Sequence, residues 1–275
     1  RTNNYFSFQR ISRHRKKMKN QAIHIFPIKM SMPDDGNPAA ANIPLMAAVI
    51  ETVDDLILVD SGFPGQPDLF EHLEALHFHP TDFTTLINTH VHIDHVGNNN
   101  AFVNARVIVS RVDYDYATKY SHALLQSTDV IATLTEFFPH SNTRRIHAAA
   151  SYLKQMIQKY WRDDILGPTN RIEWLEESPM VPDYLSFIHT PGHTPGHYSI
   201  KLHGQSTSFI IAGDAMPSRL FWKRRLQELT PRYSTELFTT SKEKIESLEG
   251  IVMGGHDLPF WTTDLSYVET KKITI

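Results

Sequence analysis

The densest chemistry in the chain lies in Ile87-Asn88-Thr89-His90-Val91-His92-Ile93-Asp94-His95-Val96-Gly97-Asn98. It ends a short apolar run and presents three imidazoles and a carboxylate between His90 and His95. In extended backbone His90 and His92 project to the same side, and the turn that follows directs Asp94 and His95 to a second position nearby. Three more ligand-type residues come later, each beside glycine in a turn at a strand end. They are His193 in Thr190-Pro191-Gly192-His193-Thr194-Pro195-Gly196-His197, Asp214 in Ile211-Ala212-Gly213-Asp214-Ala215, and His256 in Gly254-Gly255-His256-Asp257. Val59-Asp60-Ser61-Gly62 adds another acid of the same kind. Taken singly, each is an ordinary turn residue. Together they point to a metal centre, because imidazole and carboxylate ligands without thiolate suit zinc, and also iron, manganese or cobalt. The chain has no cysteine, which excludes a thiolate site, a thiol nucleophile and a disulfide scaffold.

These residues need rigid elements to hold them. Apolar, β-branched content predicts strands over residues 23–30, 46–52, 56–60, 85–89, 105–110, 171–174, 184–189, 198–202, 208–212 and 250–253. Helical spacing of Leu69, Phe70, Leu73 and Leu76 predicts a helix over 66–76, and a second is expected over 235–248. Pro33, Asp34, Asp35, Gly36 and Pro38 mark residues 31–42 as a loop. Residues 111–165 lose the strand pattern. Ile146, Ala149, Leu153, Ile157 and Tyr160 fall on one helical face there, and the segment reads as a helical insertion. Strands alternating with helices indicate an α/β protein in which helices cover the sheets.

Composition bounds the function. Of 275 residues, 41% are hydrophobic and 21% charged, so the chain can bury a substantial core. No apolar run reaches the length of about 18 residues that a membrane-spanning helix needs. Seven of the 27 basic residues lie in residues 1–20, where there is no acid, leaving 20 basic against 30 acidic residues in the body. An acidic body argues against binding a phosphate backbone. Residues 1–20 read as a disordered basic extension without a secretory apolar core, and residues 21–275 as one domain with its insertion at 111–165. A cytoplasmic location, a small-molecule substrate, and neither nucleic-acid nor membrane partners are expected; a homodimer stays open.

In order along the chain, Asp60-x-Gly62, His90-x-His92-x-Asp94-His95, His193, Asp214 and His256 resemble the motifs of the metallo-β-lactamase superfamily, over about residues 21–260. The resemblance implies a four-layer αββα sandwich with two metals, zinc foremost, at one edge. It implies that His90, His92 and His193 hold one metal, that Asp94, His95 and His256 hold the second, and that Asp214 bridges them. Asp60 and His197 would orient ligands from behind. Two metals about 3.5–4 Å apart that share a hydroxide supply a nucleophile near neutral pH without serine or cysteine. Either Asp94 or Asp214 could relay a proton to the leaving group.

Within that superfamily the chain looks most like the N-acyl homoserine lactone hydrolases. The β-lactamases often place a cysteine where this chain has Asp214, and the flavin-linked diiron members a glutamate where it has His92. One departure is Pro217, at a position where the lactonases often carry a tyrosine. The organophosphate hydrolases of the fold are the alternative, and a mononuclear iron persulfide dioxygenase, held by the equivalents of His90, His193 and Asp214, is a more distant one. Tyr114, Tyr116, Phe137, Phe138 and Trp222 are the candidates for substrate contact, with core packing the competing role for the aromatics of the insertion. Phe221, Lys223, Arg224 and Arg225 would lie near the mouth or on a solvated loop. His72, His77 and His79 have no acidic motif beside them and are not expected to bind metal.

Overall fold

The computed structural model describes residues 22–33, 43–224, 232–268 and 271–275; the basic extension, most of the 31–42 loop and Arg225 lie outside these. Twelve strands form two sheets among the described residues. The first is seven-stranded, in the order β12-β1-β2-β3-β4-β5-β6, and the second five-stranded, β11-β10-β9-β8-β7. In the first, β1 (His24–Ser31), β2 (Pro44–Glu51) and β3 (Leu56–Val59) are antiparallel neighbours. Then β4 (Thr85–Ile87), β5 (Arg106–Val109) and β6 (Ile172–Trp174) continue in parallel. In the second, β9 (Ser208–Gly213) runs parallel to β10 (Ile251–Gly254), while β7 (Leu185–His189), β8 (Tyr198–His203) and β11 (Asp257–Trp261) pair antiparallel.

Strand alternation explains the layers. In β2, Met46, Ala48 and Ile50 face the second sheet and join Ile57, Ile87, Ile108, Phe209, Ile211, Ile251 and Met253 in the core between the sheets. The intervening Leu45, Ala47 and Val49 join a separate core under the helices with Leu58, Leu86 and Val107. In the second sheet the outward set, Ile210, Ala212 and Val252, meets Ile245 of the helix Thr235–Glu246. Strands buried on both faces read as continuous apolar runs, which is how β2, β9 and β10 read in sequence. The order of layers is therefore helix, sheet, sheet, helix.

Residues 111–165 contain three helices, Arg111–Gln126, Val130–Phe137 and Thr143–Tyr160, capped by Ser110, Asp129 and Asn142. They pack on the outer face of the first sheet, with Tyr120, Leu124, Leu134, Phe137, Phe138, Ile146 and Ile157 in that core. Two strands lack a sequence signal strong enough to predict. Asp257–Trp261 carries a proline and follows the Gly-Gly-His turn directly, and β12 (Ile273–Thr274) is two residues long. The strand expected over 85–89 stops at Ile87, because the Thr89 N–H turns away to the Asp60 carboxylate. No helix among the described residues is long and apolar enough to cross a membrane.

Candidate metal centre

The ligand-type residues come from both sheets and converge at one edge. His90 and His92 follow β4, and Asp94 and His95 occupy the short helix Ile93–Val96. His193 lies between β7 and β8, Asp214 directly follows β9, and His256 sits between β10 and β11. Three overlapping groups have ligand atoms within 4.8 Å of one another: His90 with His92 and His193; His90 with His95 and Asp214; and Asp94 with His95 and His256.

The distances define a continuous cluster. His92 Nδ1 and His193 Nε2 are 3.0 Å apart. Asp214 Oδ2 lies 3.2 Å from His193 Nε2 and 3.2 Å from His256 Nε2, and its Oδ1 lies 3.6 Å from His95 Nε2. Asp94 Oδ2 is 3.7 Å from His95 Nε2 and 4.0 Å from His256 Nε2. Asp214 thus reaches both ends of the cluster. Gly255 makes its position possible, since a Cβ there would stand 1.9 Å from Asp214 Oδ1.

The outward-facing ring nitrogens fix which atoms face the cluster. His95 Nδ1 donates to Asp60 Oδ2 at 2.8 Å, and His256 Nδ1 donates to the Pro44 carbonyl at 2.9 Å. His90 Nδ1 lies 3.1 Å from Thr89 Oγ1, which itself donates to Asp60 Oδ2 at 2.8 Å. Thr89 Oγ1 is therefore the acceptor for His90, and Asp60 holds one ring directly and the other through a hydroxyl. Such hydrogen bonds set tautomer and orientation in metal-ligating histidines. The backbone of Asp60 adopts φ 58° to do this, in a region where short polar side chains are tolerated.

His90 Nε2, His95 Nε2 and Asp214 Oδ1 are buried and make no hydrogen bond among the described residues. Buried polar atoms without partners are costly, and these three belong to one of the ligand groups. Their chemistry, two imidazole nitrogens and a carboxylate oxygen, fits a divalent cation. Charge agrees. Burial pulls His95 down, but Asp60 and Asp94 push it up to about 10. Burial likewise lowers His256, yet Asp214 and Asp94 raise it to about 9. Burial and the charge of His193 bring His92 down to about 3. Burial alone would raise Asp214, but His256 and His193 hold it well below the carboxylate range. The carboxylates therefore draw positive charge to the middle of the cluster.

His197 stands behind the cluster. Its Nε2 accepts the Asp214 N–H at 3.0 Å, and its Nδ1 lies 2.9 Å from Thr190 Oγ1. Several supporting groups escaped the reading of the sequence. Asn98 Nδ2 donates to the carbonyls of Ser61 and Phe63. Asn99 and Asn88 bond each other, and Asn88 Nδ2 donates to the His95 carbonyl. This buried amide lattice ties the ligand turn to the end of β3. The run Asn98-Asn99-Asn100 directly after the ligand motif is the signal that marks it. Asp113, fully buried, bonds two ligand loops at once; its only mark in sequence is its place three residues after the capping Ser110.

The aromatic candidates separate. Phe137 and Phe138 are buried in the core under the insertion. Trp222 is buried against Phe260 on the outer face of the second sheet. Tyr114 donates to the Asp163 carbonyl and packs on Trp174. Tyr116 donates to the Phe137 carbonyl and meets the Tyr233 ring edge-on at 5.4 Å, and the Tyr233 N–H donates to the His193 carbonyl. Of the five, Tyr116 thus has a packing link, through Tyr233, to a ligand loop. Phe221 is half-buried and packs on the outer core of the second sheet, whereas Lys223 and Arg224 are exposed. His72, His77 and His79 are exposed and belong to none of the three groups.

A family model described as the metallo-beta-lactamase superfamily matches residues 46–256. An N-acyl homoserine lactonase of Bacillus sp is 26% identical over 248 residues, covering 79% of this chain and 82% of that one. Among solved structures, AidC, a dizinc quorum-quenching lactonase in complex with a product, superposes with a TM-score of 0.62 at 18% identity, covering 78% of this chain and 73% of the other. The hydrolase AbOPH in the beta lactamase superfamily has a TM-score of 0.55 at 19% identity and covers 92% and 91%.

Proposed function

The chain belongs to the metallo-beta-lactamase superfamily as a metal-dependent hydrolase, and from that premise we propose that it is a dinuclear enzyme that opens a lactone or similar ester. The observation that carries the dinuclear reading is Asp214, whose carboxylate touches ligand atoms at both ends of the cluster. His90, His92 and His193 would hold one divalent ion, and Asp94, His95 and His256 the other, with Asp214 shared. Zinc suits this donor set, and manganese, cobalt or iron are compatible with it. Such ions, when bound, polarise an ester carbonyl and lower the pKa of water toward neutrality.

The residues divide the remaining work. Asp60 and the Pro44 carbonyl keep Nε2 of His95 and His256 aimed inward. Asp214 is buried and held between two imidazoles, so it contributes fixed negative charge. Asp94 is the more exposed carboxylate, its side chain 19% accessible. That access supports Asp94, rather than Asp214, as the group that carries a proton to the leaving oxygen. In lactone opening, water adds to the acyl carbon and gives a proton to the Asp94 carboxylate, the ring C–O bond breaks, and the leaving alkoxide takes that proton from Asp94, giving the hydroxy acid. The lactone reading draws support from the Bacillus relative at 26% identity.

Pro217 offers no side-chain hydroxyl, and its carbonyl is engaged by the His256 N–H at 2.8 Å. A lactone carbonyl consequently has no donor from this position, which is what keeps a phosphotriester in the comparison. The test is metal content per chain together with hydrolysis of acyl lactones of increasing chain length and of a phosphotriester. About two metal ions per chain and chelator-sensitive lactone opening are expected. Phosphotriester cleavage without lactone opening would replace the substrate class. One iron per chain with oxygen uptake would replace the reaction.

A further inference from the structure

Asp113 sits in the first turn of the helix Arg111–Gln126, and its carboxylate is fully buried. Its Oδ2 accepts the Val91 N–H at 2.6 Å, and its Oδ1 accepts the Gly196 N–H at 2.9 Å. Val91 lies between His90 and His92, and Gly196 lies three residues after His193 in the same turn. One side chain thus joins the two loops that carry the three members of the His90, His92 and His193 group. The link is built on a rigid base. Ser110 caps the helix by accepting the Asp113 N–H and donates to Glu176 Oε1, while Glu176 Oε2 accepts the Arg111 N–H. A Cβ on Gly196 would lie 2.4 Å from Ser110 Oγ and 2.6 Å from the Asp113 nitrogen, so only glycine lets the second loop come this close.

The arrangement is asymmetric. The other ligand turn, around Asp94 and His95, is tied to the end of β3 by Asn88, Asn98 and Asn99. Asp113 makes no hydrogen bond to that turn among the described residues. We propose that Asp113 is a positioning residue that sets the spacing of His90, His92 and His193, and so tunes one metal position without the other. This rests on the dinuclear reading above. A carboxylate can accept both N–H groups at once. The isosteric amide cannot, because its NH2 must oppose either Val91 N–H or Gly196 N–H.

The test is Asp113→Asn, with zinc affinity measured by chelator competition and the melting of the metal-free protein recorded beside it. One of the two zinc equivalents should weaken by about 10–100-fold, the range typical of groups that support ligands from behind, while the other keeps its wild-type affinity. In a His256→Ala background, which weakens the opposite position, the Asp113→Asn loss should persist; in a His92→Ala background it should vanish. Equal weakening of both equivalents would show a general structural role and overturn the proposal, as would unchanged affinity. A wild-type chain that binds fewer than two zinc ions would instead overturn the dinuclear reading. Should Asp113→Asn fail to fold, Ser110→Ala, which removes the acceptor of the Asp113 N–H, should give a smaller loss confined to the same equivalent, and an unchanged profile there would overturn the proposal.

Discussion

Replacing Asp60 with asparagine separates shape from charge at the most connected carboxylate of the cluster. Asparagine is nearly isosteric and tolerates the left-handed backbone found there, φ 58°. Asp60 accepts three bonds at 2.8 Å each, from Thr89 N–H, Thr89 Oγ1 and His95 Nδ1. With Oδ1 retained for the Thr89 N–H, the amide nitrogen takes the place of Oδ2 and presents hydrogens to the other two. His95 then gains by accepting at Nδ1, which moves its proton to Nε2, the atom that faces Asp94 and Asp214. A protonated Nε2 cannot bind a metal, so restoring the useful tautomer costs the lost charge-assisted bond, about 1.5–3 kcal/mol. That corresponds to a roughly 10–100-fold loss of metal affinity. Thr89 must also reorient, so His90 loses part of its support. The assay is zinc competition with a chromophoric chelator at fixed pH, followed by turnover at saturating zinc. Recovery of most turnover at high zinc is expected, because the ligands themselves remain. Wild-type zinc affinity in Asp60→Asn would refute the tautomer argument.

Asp214→Ala should cost more activity than Asp60→Ala and should not be rescued by excess metal, since it removes the contact shared by His193 and His256; metal content and turnover near wild type would rule out the shared role. The metal-free protein should be most stable near pH 6.5, as read from melting temperature across pH. His95 and His256 have folded values raised to about 10 and about 9, so their contribution is complete below the unfolded value near 6.5 and is lost as pH rises through those values. His92 is lowered to about 3, so its contribution is complete above about 6.5 and is lost as pH falls toward 3; a melting temperature that climbs steadily to pH 10 would contradict this. Gly192→Ala should destabilise the fold by about 1–3 kcal/mol or more. Its φ is 133°, and the new Cβ would lie 2.0 Å from the Phe238 nitrogen at the start of the helix Thr235–Glu246. Denaturant unfolding measures this, and an unchanged midpoint would mean that the loop holding His193 yields more easily than its contacts suggest.

The ligand-type residues were legible because His90, His92, Asp94 and His95 crowd into six positions after an apolar strand, and because His193, Asp214 and His256 each stand beside glycine in a turn near a strand end, where local sequence determines local geometry. The layered fold was legible for a similar reason, since β2, β9 and β10 are buried on both faces and read as unbroken apolar runs. What escaped depends on distant partners. Asp113 and Asn98 look like common helix-start and turn residues until the chain brings Gly196 and Ser61 against them. Trp222 follows Asp214 closely in sequence and reads as part of a pocket mouth, yet it turns onto Phe260, because the indole finds apolar cover there. Two residues suffice for β12 because His24 and Ile25 supply its pairing partners.

The cluster also constrains the order of folding. Its contributors span His90 to His256 and sit on strand ends of both sheets. His90 gains His193 and Asp214 as neighbours only after long loops close, and such contacts form late because their closure entropy must be met first. A refolding chain should therefore acquire its helices and its local strand pairs, such as β1 with β2 and β8 with β9, before it can capture an ion, and metal uptake should lag behind the recovery of far-ultraviolet circular dichroism. Metal capture then acts as a latch on a nearly finished fold, slowing its opening more than it speeds its formation.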